Sequence, residues 1–297
     1  MRTINISDLN NKISCVLALG FFDCVHIGHK KVIQSAVETA RSLAVKSAVF
    51  TFRNNIFELF GSNKKPLFSF DERVKEIEKL GVDYLFYLDA DAAFLSLSPE
   101  SFISFLKARL DVRGVVCGED YTFGQNGQGG AKTLVKAFPY GENSVIPLLS
   151  DGREKIGTGQ IKKMLQEGKP DKAARFLGRN YAVSGIVSTG RKDGSKIGYP
   201  TINLNGLSSP LKFGVYFTDT ILDGERYASV TNVGPHPTFG DFKENIETHL
   251  LSYNGNAYGK EVTIEFLAFD RELIRFDSVE TLMKTIENDV EKRRNYD

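Results

Sequence analysis

The sequence predicts two unlike domains in one chain: an α/β domain on a parallel, doubly wound sheet, then an antiparallel β-barrel with a C-terminal helix. Three observations carry this. Apolar strand-like runs alternate with amphipathic helical stretches through the first half. From Tyr181 the pattern changes to short strands separated by Gly, Pro, Asn and Asp turns. At 297 residues the chain is long enough to fill two cores.

Residues 15–20 (CVLALG) read as a buried strand, followed by a helix over 28–44 and a second strand over 45–52. A short helix over 71–80 stops at Gly81, and 84–88 is the next strand. A helix over 99–110 begins on Pro99, which suits a first turn, and 114–117 is a further strand. Sheets of this kind bind ligands at the carboxyl ends of their strands. Residues 160–178 are helical around Gly168-Lys169-Pro170 and hold the seam, which sets domain limits of 1–168 and 169–297. Strands are predicted over 181–188, 214–222, 227–233, 247–253 and 261–269. In the last segment, 278–293, Val279, Leu282, Met283, Ile286 and Val290 fall on one helical face, predicted to pack on the barrel.

Lys plus Arg (38) nearly balances Asp plus Glu (37), so no global field recruits nucleic acid or an anionic membrane. A polyanionic ligand needs a local cluster of donors instead. Three cysteines without C-x-x-C spacing argue against a disulfide or zinc framework and point to a reducing, cytoplasmic setting. The first residues show no apolar signal core, and no run approaches the roughly 18 apolar residues that cross a bilayer.

The first candidate site comes directly after the first strand: Gly20-Phe21-Phe22-Asp23-Cys24-Val25-His26-Ile27-Gly28-His29. A strand running through a loop into a helix start is where backbone N–H groups and the helix dipole hold phosphate. Gly28 permits close approach of an anion. His26 and His29, three apart, can both face it and donate as charge moves. A metal reading of the pair lacks a third ligand nearby, and two of the four histidines of the chain fall in this loop. No protein nucleophile is needed, since a bound phosphate can attack a nucleotide α-phosphate and expel pyrophosphate.

The second candidate site lies in Gly198-Tyr199-Pro200-Thr201-Ile202-Asn203. Thr201 and Asn203, two apart in an extended segment, point the same way and offer hard oxygen ligands suited to Mg²⁺ with nucleotide phosphates. In isolation such a string is more often a plain turn. Gly185, Gly190, Gly194 and Gly198 make the preceding loop pliable. Downstream, Glu247 and His249 share one strand face, opposite Thr248. A carboxylate there can take the proton of an alcohol attacking a γ-phosphate, although a lone strand glutamate is usually only solvated.

The H-x-G-H loop resembles the nucleotidyltransferase signature, and the longer string resembles the N-terminal domain of bacterial bifunctional riboflavin kinase/FAD synthetases. Further matches are Thr51-Phe52, Gly81-Val82-Asp83-Tyr84, Leu97-Ser98-Pro99-Glu100-Ser101-Phe102 and Gly118-Glu119-Asp120-Tyr121-Thr122-Phe123-Gly124. The second half resembles riboflavin kinase through Phe213-Gly214-Val215-Tyr216, Asn232-Val233-Gly234, Pro237-Thr238-Phe239-Gly240, Tyr258-Gly259-Lys260, Arg271-Glu272 and Asp289.

The resemblance implies a Rossmann-like nucleotidyltransferase domain and a six-stranded barrel. It implies riboflavin, FMN, FAD and ATP as substrates and products, with Mg²⁺. It assigns adenylyl transfer to His26 and His29, with Gly20, Phe22, Asp23, Gly28, Asp120, Thr158 and Lys162 around ATP and FMN. In the kinase half it assigns the general base to Glu247 and Mg-ATP to Thr201 and Asn203, with Gly190, Lys196, Gly198 and Pro200 around nucleotide and flavin.

The chain departs from the family pattern in several places. Cys24 stands where the family has Gly, and Asn54-Asn55-Ile56 replaces P-H-P. Gly157-Thr158-Gly159-Gln160-Ile161-Lys162 replaces an S-S-T-x-I-R-like motif, so one hydroxyl and one lysine remain where hydroxyls and an arginine meet ATP phosphates. Losing one charge-assisted hydrogen bond costs about 1.5–3 kcal/mol. Tyr199, Ile202 and Gly194-Ser195-Lys196 are lesser departures. The alternative reading is therefore a riboflavin kinase whose first domain is impaired. A binding regulator without turnover would require erosion of Thr201, Asn203 and Glu247, and all three are retained.

Residues 152–158 lack the Lys-Ser/Thr of a P-loop, and the 89–100 segment lacks the glycine of an EF-hand loop. Residues 124–130 read as a mobile loop.

Overall fold

A computed structural model describes all residues except 60, 151, 153–154, 189–197, 205–208, 237–240 and 297, with 236 and 241–244 described by backbone alone. The chain divides into two compact units, Met1–Thr158 and Gly159–Asp297.

The first unit runs β1 (Arg2–Asn5), β2 (Ile13–Leu19), α1 (Ile27–Ser42), β3 (Lys46–Phe52), α2 (Ile56–Leu59), α3 (Phe70–Glu78) and β4 (Tyr84–Leu88). It continues with α4 (Ala92–Leu95), α5 (Pro99–Arg109), β5 (Leu110–Gly118), β6 (Thr122–Phe123), β7 (Gly129–Gly130), α6 (Ala131–Ala137) and β8 (Ser144–Ile146). Six strands form one sheet in the order β1-β4-β3-β2-β5-β8, every neighbouring pair parallel. Both faces are covered, which explains the unbroken apolar run of β2. Cys15, Leu17 and Leu19 enter one core, with Phe50, Phe102 and Leu106; Val16 and Ala18 enter the other, with Ile33 and Ile77.

The helix starts obey local chemistry. Ser69 and Glu72 form a reciprocal capping box on α3, and Ser98 caps α5 ahead of Pro99. The chain leaves β2 toward β3 on one side and reaches β5, on the other side, only after β4. The carboxyl ends of β2 and β5 therefore flank the point where strand order reverses, the ligand crevice of such sheets. The loop beginning at Gly20 leaves one of these ends, and Glu119-Asp120 leaves the other.

The second unit contains α7 (Thr158–Gln166, which starts at the division), α8 (Pro170–Leu177), β9 (Tyr181–Ile186), β10 (Ile202–Leu204), β11 (Gly214–Leu222), β12 (Glu225–His236), β13 (Asp241–Leu250), β14 (Glu261–Arg271) and α9 (Val279–Arg294). The antiparallel sheet order is β10-β13-β12-β11-β14-β9. A bridge between Ser188, just past β9, and Asn203 in β10 joins the two outer strands and closes the barrel. Its interior is unusually polar. Thr220, Ser229, Thr218, Thr231 and Thr248, all fully buried, form a continuous hydroxyl chain with steps of 2.7–2.9 Å. Leu165 O accepts the Lys212 N–H at 3.1 Å, so α7 packs with this unit.

The structure adds detail to the expected elements. In residues 124–130 a short turn over Gln125–Gly127 is bracketed by the β6–β7 ribbon, and a side chain at Gly129 would strike the Phe123 ring. On α9, Val279 and Met283 are exposed, and the buried face is Leu282, Asp289, Val290 and Arg293. Ion pairs anchor that helix, Asp289 to Arg271 at 2.7 Å and Arg293 to Asp219 at 2.5 Å. Strands β1 and β8 were not predicted, since RTIN and SVI are short outer strands, exposed or only half-buried.

Candidate active sites

His26 is the N-cap of α1. Its Nδ1 accepts the N–H groups of Gly28 at 3.1 Å and His29 at 3.3 Å. A ring nitrogen that accepts carries no proton, so the His26 proton sits on Nε2. The N–H groups of Gly28 and His29, at the helix start expected to hold phosphate, are thus engaged by the histidine. Gly28 serves this cap, because a Cβ there would lie 3.0 Å from the His26 ring. The His26 and His29 rings stack at 3.6 Å. Burial, reinforced by the neighbouring His26 and opposed by a hydrogen bond to the Asp23 backbone, holds the His29 pKa well below its ordinary value.

The loop ahead of this pair is strained. Phe22, Cys24 and Val25 have φ of 53°, 53° and 42°, a region that favours glycine. Cys24, standing where the family has glycine, occupies just such a position. The buried Asp23 accepts the N–H groups of Leu67 and Phe68 at 2.9–3.0 Å, so it holds the incoming 67–68 segment. Burial raises its pKa against those bonds. A Cβ on Gly20 would meet the buried Phe22 ring at 2.9 Å.

Thr158 lies 3.6 Å from Cys24 Sγ and 3.5 Å from the Asp23 carbonyl. Lys162 comes four residues later on the same helix face, in the second unit. Asp120 is tied to Lys155 at 2.6 Å. In place of P-H-P, Asn54 exchanges two hydrogen bonds with the Ala90 backbone and Asn55 bonds Glu58 and the Lys64 carbonyl, a clamp on the loop after β3.

The second unit brings its expected residues together. Asn203 in β10 stands directly opposite Glu247 in β13. Thr201 Oγ1 donates to Glu247 Oε1 at 2.5 Å. Asn203, 6% exposed, accepts from Asn245 Nδ2 at 2.8 Å through Oδ1. Thr248 is fully buried in the barrel, while Glu247 and His249 are half-buried on the other face. His249 Nδ1 donates to the Pro200 carbonyl at 2.8 Å, and its ring meets the edge of Tyr199. Burial lowers the His249 pKa. Gly198 adopts φ 87°, which only glycine takes readily. Gly190 and Lys196 lie outside the described residues.

Two residues with evident roles escaped sequence reading. Arg73, 1% exposed on α3, bonds the carbonyls of Phe21 and Phe52; in sequence it is one more charge on an amphipathic helix. Asn232 lies opposite Glu247 on the far side from Asn203, so three polar residues form one row across β10, β13 and β12. The Asn232-Val233-Gly234 string was the available signal.

The family model for FAD synthetase matches residues 8–158, and that for riboflavin kinase matches 177–296. The bifunctional riboflavin kinase/FMN adenylyltransferase of Bacillus subtilis is 33% identical, over 100% of this chain and 98% of its own. Those of Listeria monocytogenes and Escherichia coli K12 are 32% and 31% identical, covering 95% and 93% of this chain and 92% and 90% of theirs. A crystal structure of a Streptococcus pneumoniae chain described as a macrolide-efflux protein superposes with a TM-score of 0.88 at 29% identity, covering 100% of both chains. No described helix is long and apolar enough to cross a membrane. With both family models in tandem and full-length relatives above 30% identity, the chain belongs to the bifunctional riboflavin kinase/FMN adenylyltransferase family.

Proposed function

We propose that Thr201, Asn203 and Glu247 carry phosphoryl transfer, and that His26 and His29 carry adenylyl transfer. The family's two reactions are riboflavin plus ATP to FMN plus ADP, and FMN plus ATP to FAD plus pyrophosphate. The observation that supports the kinase assignment best is the 2.5 Å bond from Thr201 to Glu247, with Asn203 directly opposite.

In the kinase half, the Thr201 hydroxyl donates a hydrogen bond to Glu247, so its oxygen lone pairs can face a cation. Asn203 Oδ1 accepts one N–H and keeps a second lone pair. Two hard oxygens so disposed fit Mg²⁺, and Thr201 and Asn203 would hold it, where it would neutralise triphosphate charge. Glu247 accepts the proton of the ribityl hydroxyl as the hydroxyl oxygen attacks the γ-phosphorus. The bond from phosphorus to the β,γ-bridging oxygen breaks and ADP leaves.

In the other half, an FMN phosphate oxygen attacks the ATP α-phosphorus and pyrophosphate leaves with the bond pair. His26 donates from Nε2 to the phosphate oxygens, and neutral His29 braces its ring by stacking. Gly20, Phe22 and Asp23 shape the loop, while Gly28 makes room for the cap. Thr158 and Asp120 complete the phosphate and flavin surroundings, with Gly198 and Pro200 serving the kinase nucleotide. We place the functional boundary within 159–176, between the two matched segments. The free cysteines, all buried, fit a reducing compartment, and we assign the protein to the cytoplasm.

The test supplies riboflavin or FMN separately. Glu247→Gln is expected to stop FMN formation while FAD still forms from added FMN, and His29→Ala to do the reverse. Loss of both products in either variant would contradict separate sites. A second reading, a kinase with an impaired first domain, is favoured only by the single hydroxyl and lysine in 157–162.

A further inference from the structure

We propose that Arg73 is a positioning residue for adenylyl transfer: it holds the strained loop after β2 in the conformation that aims His26. Arg73 comes from α3 and touches no reacting atom. Its Nη1 donates to the Phe21 carbonyl at 2.8 Å and to Thr51 Oγ1 at 3.0 Å. Its Nη2 donates to the Phe52 carbonyl at 2.8 Å and more weakly to that of Arg53 at 3.4 Å. Thr51 in turn donates to the same Phe21 carbonyl at 2.9 Å. The fork ties together the chain leaving β2 and the chain leaving β3, and the Phe21 ring lies 4.4 Å beneath the guanidinium.

The backbone just past Phe21 needs such a tie. Three of the next four residues, Phe22, Cys24 and Val25, hold positive φ without being glycine. Each costs on the order of 1–2 kcal/mol. Such a path persists only where its surroundings over-determine it. Asp23 pins the middle of the path through Leu67 and Phe68, and the His26 cap pins its end. Arg73 pins its beginning. Released there, the loop relaxes, and the His26 ring loses its register on the first turn of α1. Arg73 remains charged although burial lowers its pKa to about 10.

This inference rests on adenylyl transfer being the work of the loop, and its test separates the two ideas. Arg73→Met is expected to slow FAD formation from added FMN about 10–100-fold, the penalty of roughly ångström-scale misplacement. Riboflavin phosphorylation in the same chain should be unchanged. Arg73→Lys should fall between, and it serves if the Met variant fails to fold. Adding Cys24→Gly, which removes one strained position, should recover part of the Arg73→Met loss. An Arg73→Met enzyme as fast as wild type, or a Cys24→Gly effect that is merely additive, would overturn the proposal. The ¹⁵N signals of the His26 ring supply a readout without turnover. They should report a fixed Nε2–H tautomer in wild type and an averaged ring in Arg73→Met; identical rings in both would also overturn it. Wild type that makes FMN but no FAD would refute the adenylyl reading, and the ring signals would still decide the role of Arg73.

Discussion

Thr201 donates its hydroxyl proton to Glu247 at 2.5 Å, and the β10–β13 register sets Asn203 opposite the same glutamate. The bond does two things at once. In the proposed mechanism it orients the threonine hydroxyl toward the Mg²⁺ that Thr201 and Asn203 would hold, and it orients the carboxylate proposed as the base. Thr201→Val removes the first and frees the second. Its FMN formation is expected to fall by about one to two decades, the size of a lost charge-assisted contact. The apparent Mg²⁺ and ATP requirements should both rise, while Thr201→Ser stays near wild type. Initial rates across a Mg²⁺ titration check this.

Cys24 at φ 53° makes a prediction about rank order. Cys24→Gly fits the backbone and loses only a small buried thiol, so the first unit should unfold within about 1 kcal/mol of wild type. Cys24→Val places a β-branched residue in the left-handed region and should cost on the order of 1–3 kcal/mol. Chemical denaturation followed by a probe in the first unit decides between them. Equal losses would mean that backbone strain is not what matters there.

The hydroxyl chain inside the barrel predicts non-additivity. Thr218 bonds both Ser229 and Thr231, so Thr218→Val leaves two buried hydroxyls each short of a partner. The expected loss is about 1–3 kcal/mol. Replacing Thr218, Ser229 and Thr231 together with apolar residues should cost less than the sum of the single changes, because fewer hydroxyls are left without partners. Urea unfolding of the single and triple variants measures this.

His29 links stability to pH. Its folded pKa lies well below the unfolded value near 6.5 because burial disfavours the cation. As pH falls through 6.5 the unfolded chain takes the proton before the folded one does, so stability drops on acidification by at most about 1.4 kcal/mol per pH unit. His249, depressed for the same reason, adds a like dependence in the barrel. His29→Gln should flatten the slope of the first unit between about pH 7.5 and 5.5 while leaving that of the barrel intact. An unchanged slope would show that His29 titrates normally in the fold.

Much of this was legible in sequence, for identifiable reasons. β2 and β11 read clearly because their residues are buried in a near-continuous run. Alternation along strands suggested which of Thr201, Asn203 and Glu247 share a face, but it was the resemblance to riboflavin kinase that singled the three out. What was hidden depends on long-range pairing. Arg73 acts through carbonyls 20–52 residues away, which no local pattern encodes. The docking of α9 through Asp289 and Arg293 ran against the apolar stripe, because buried ion pairs look like surface charge in sequence. The His26 cap was also missed: a histidine at a helix start suggests a ligand donor, while its second nitrogen was already engaged by the backbone.

The central claim is that one chain phosphorylates riboflavin and then adenylylates the product. Chromatography of a reaction of the purified chain with riboflavin, ATP and Mg²⁺ tests it most directly. FMN should appear first and decline as FAD rises, with ADP and pyrophosphate released in step. FMN that accumulates without ever advancing to FAD, at any ATP concentration, would contradict it.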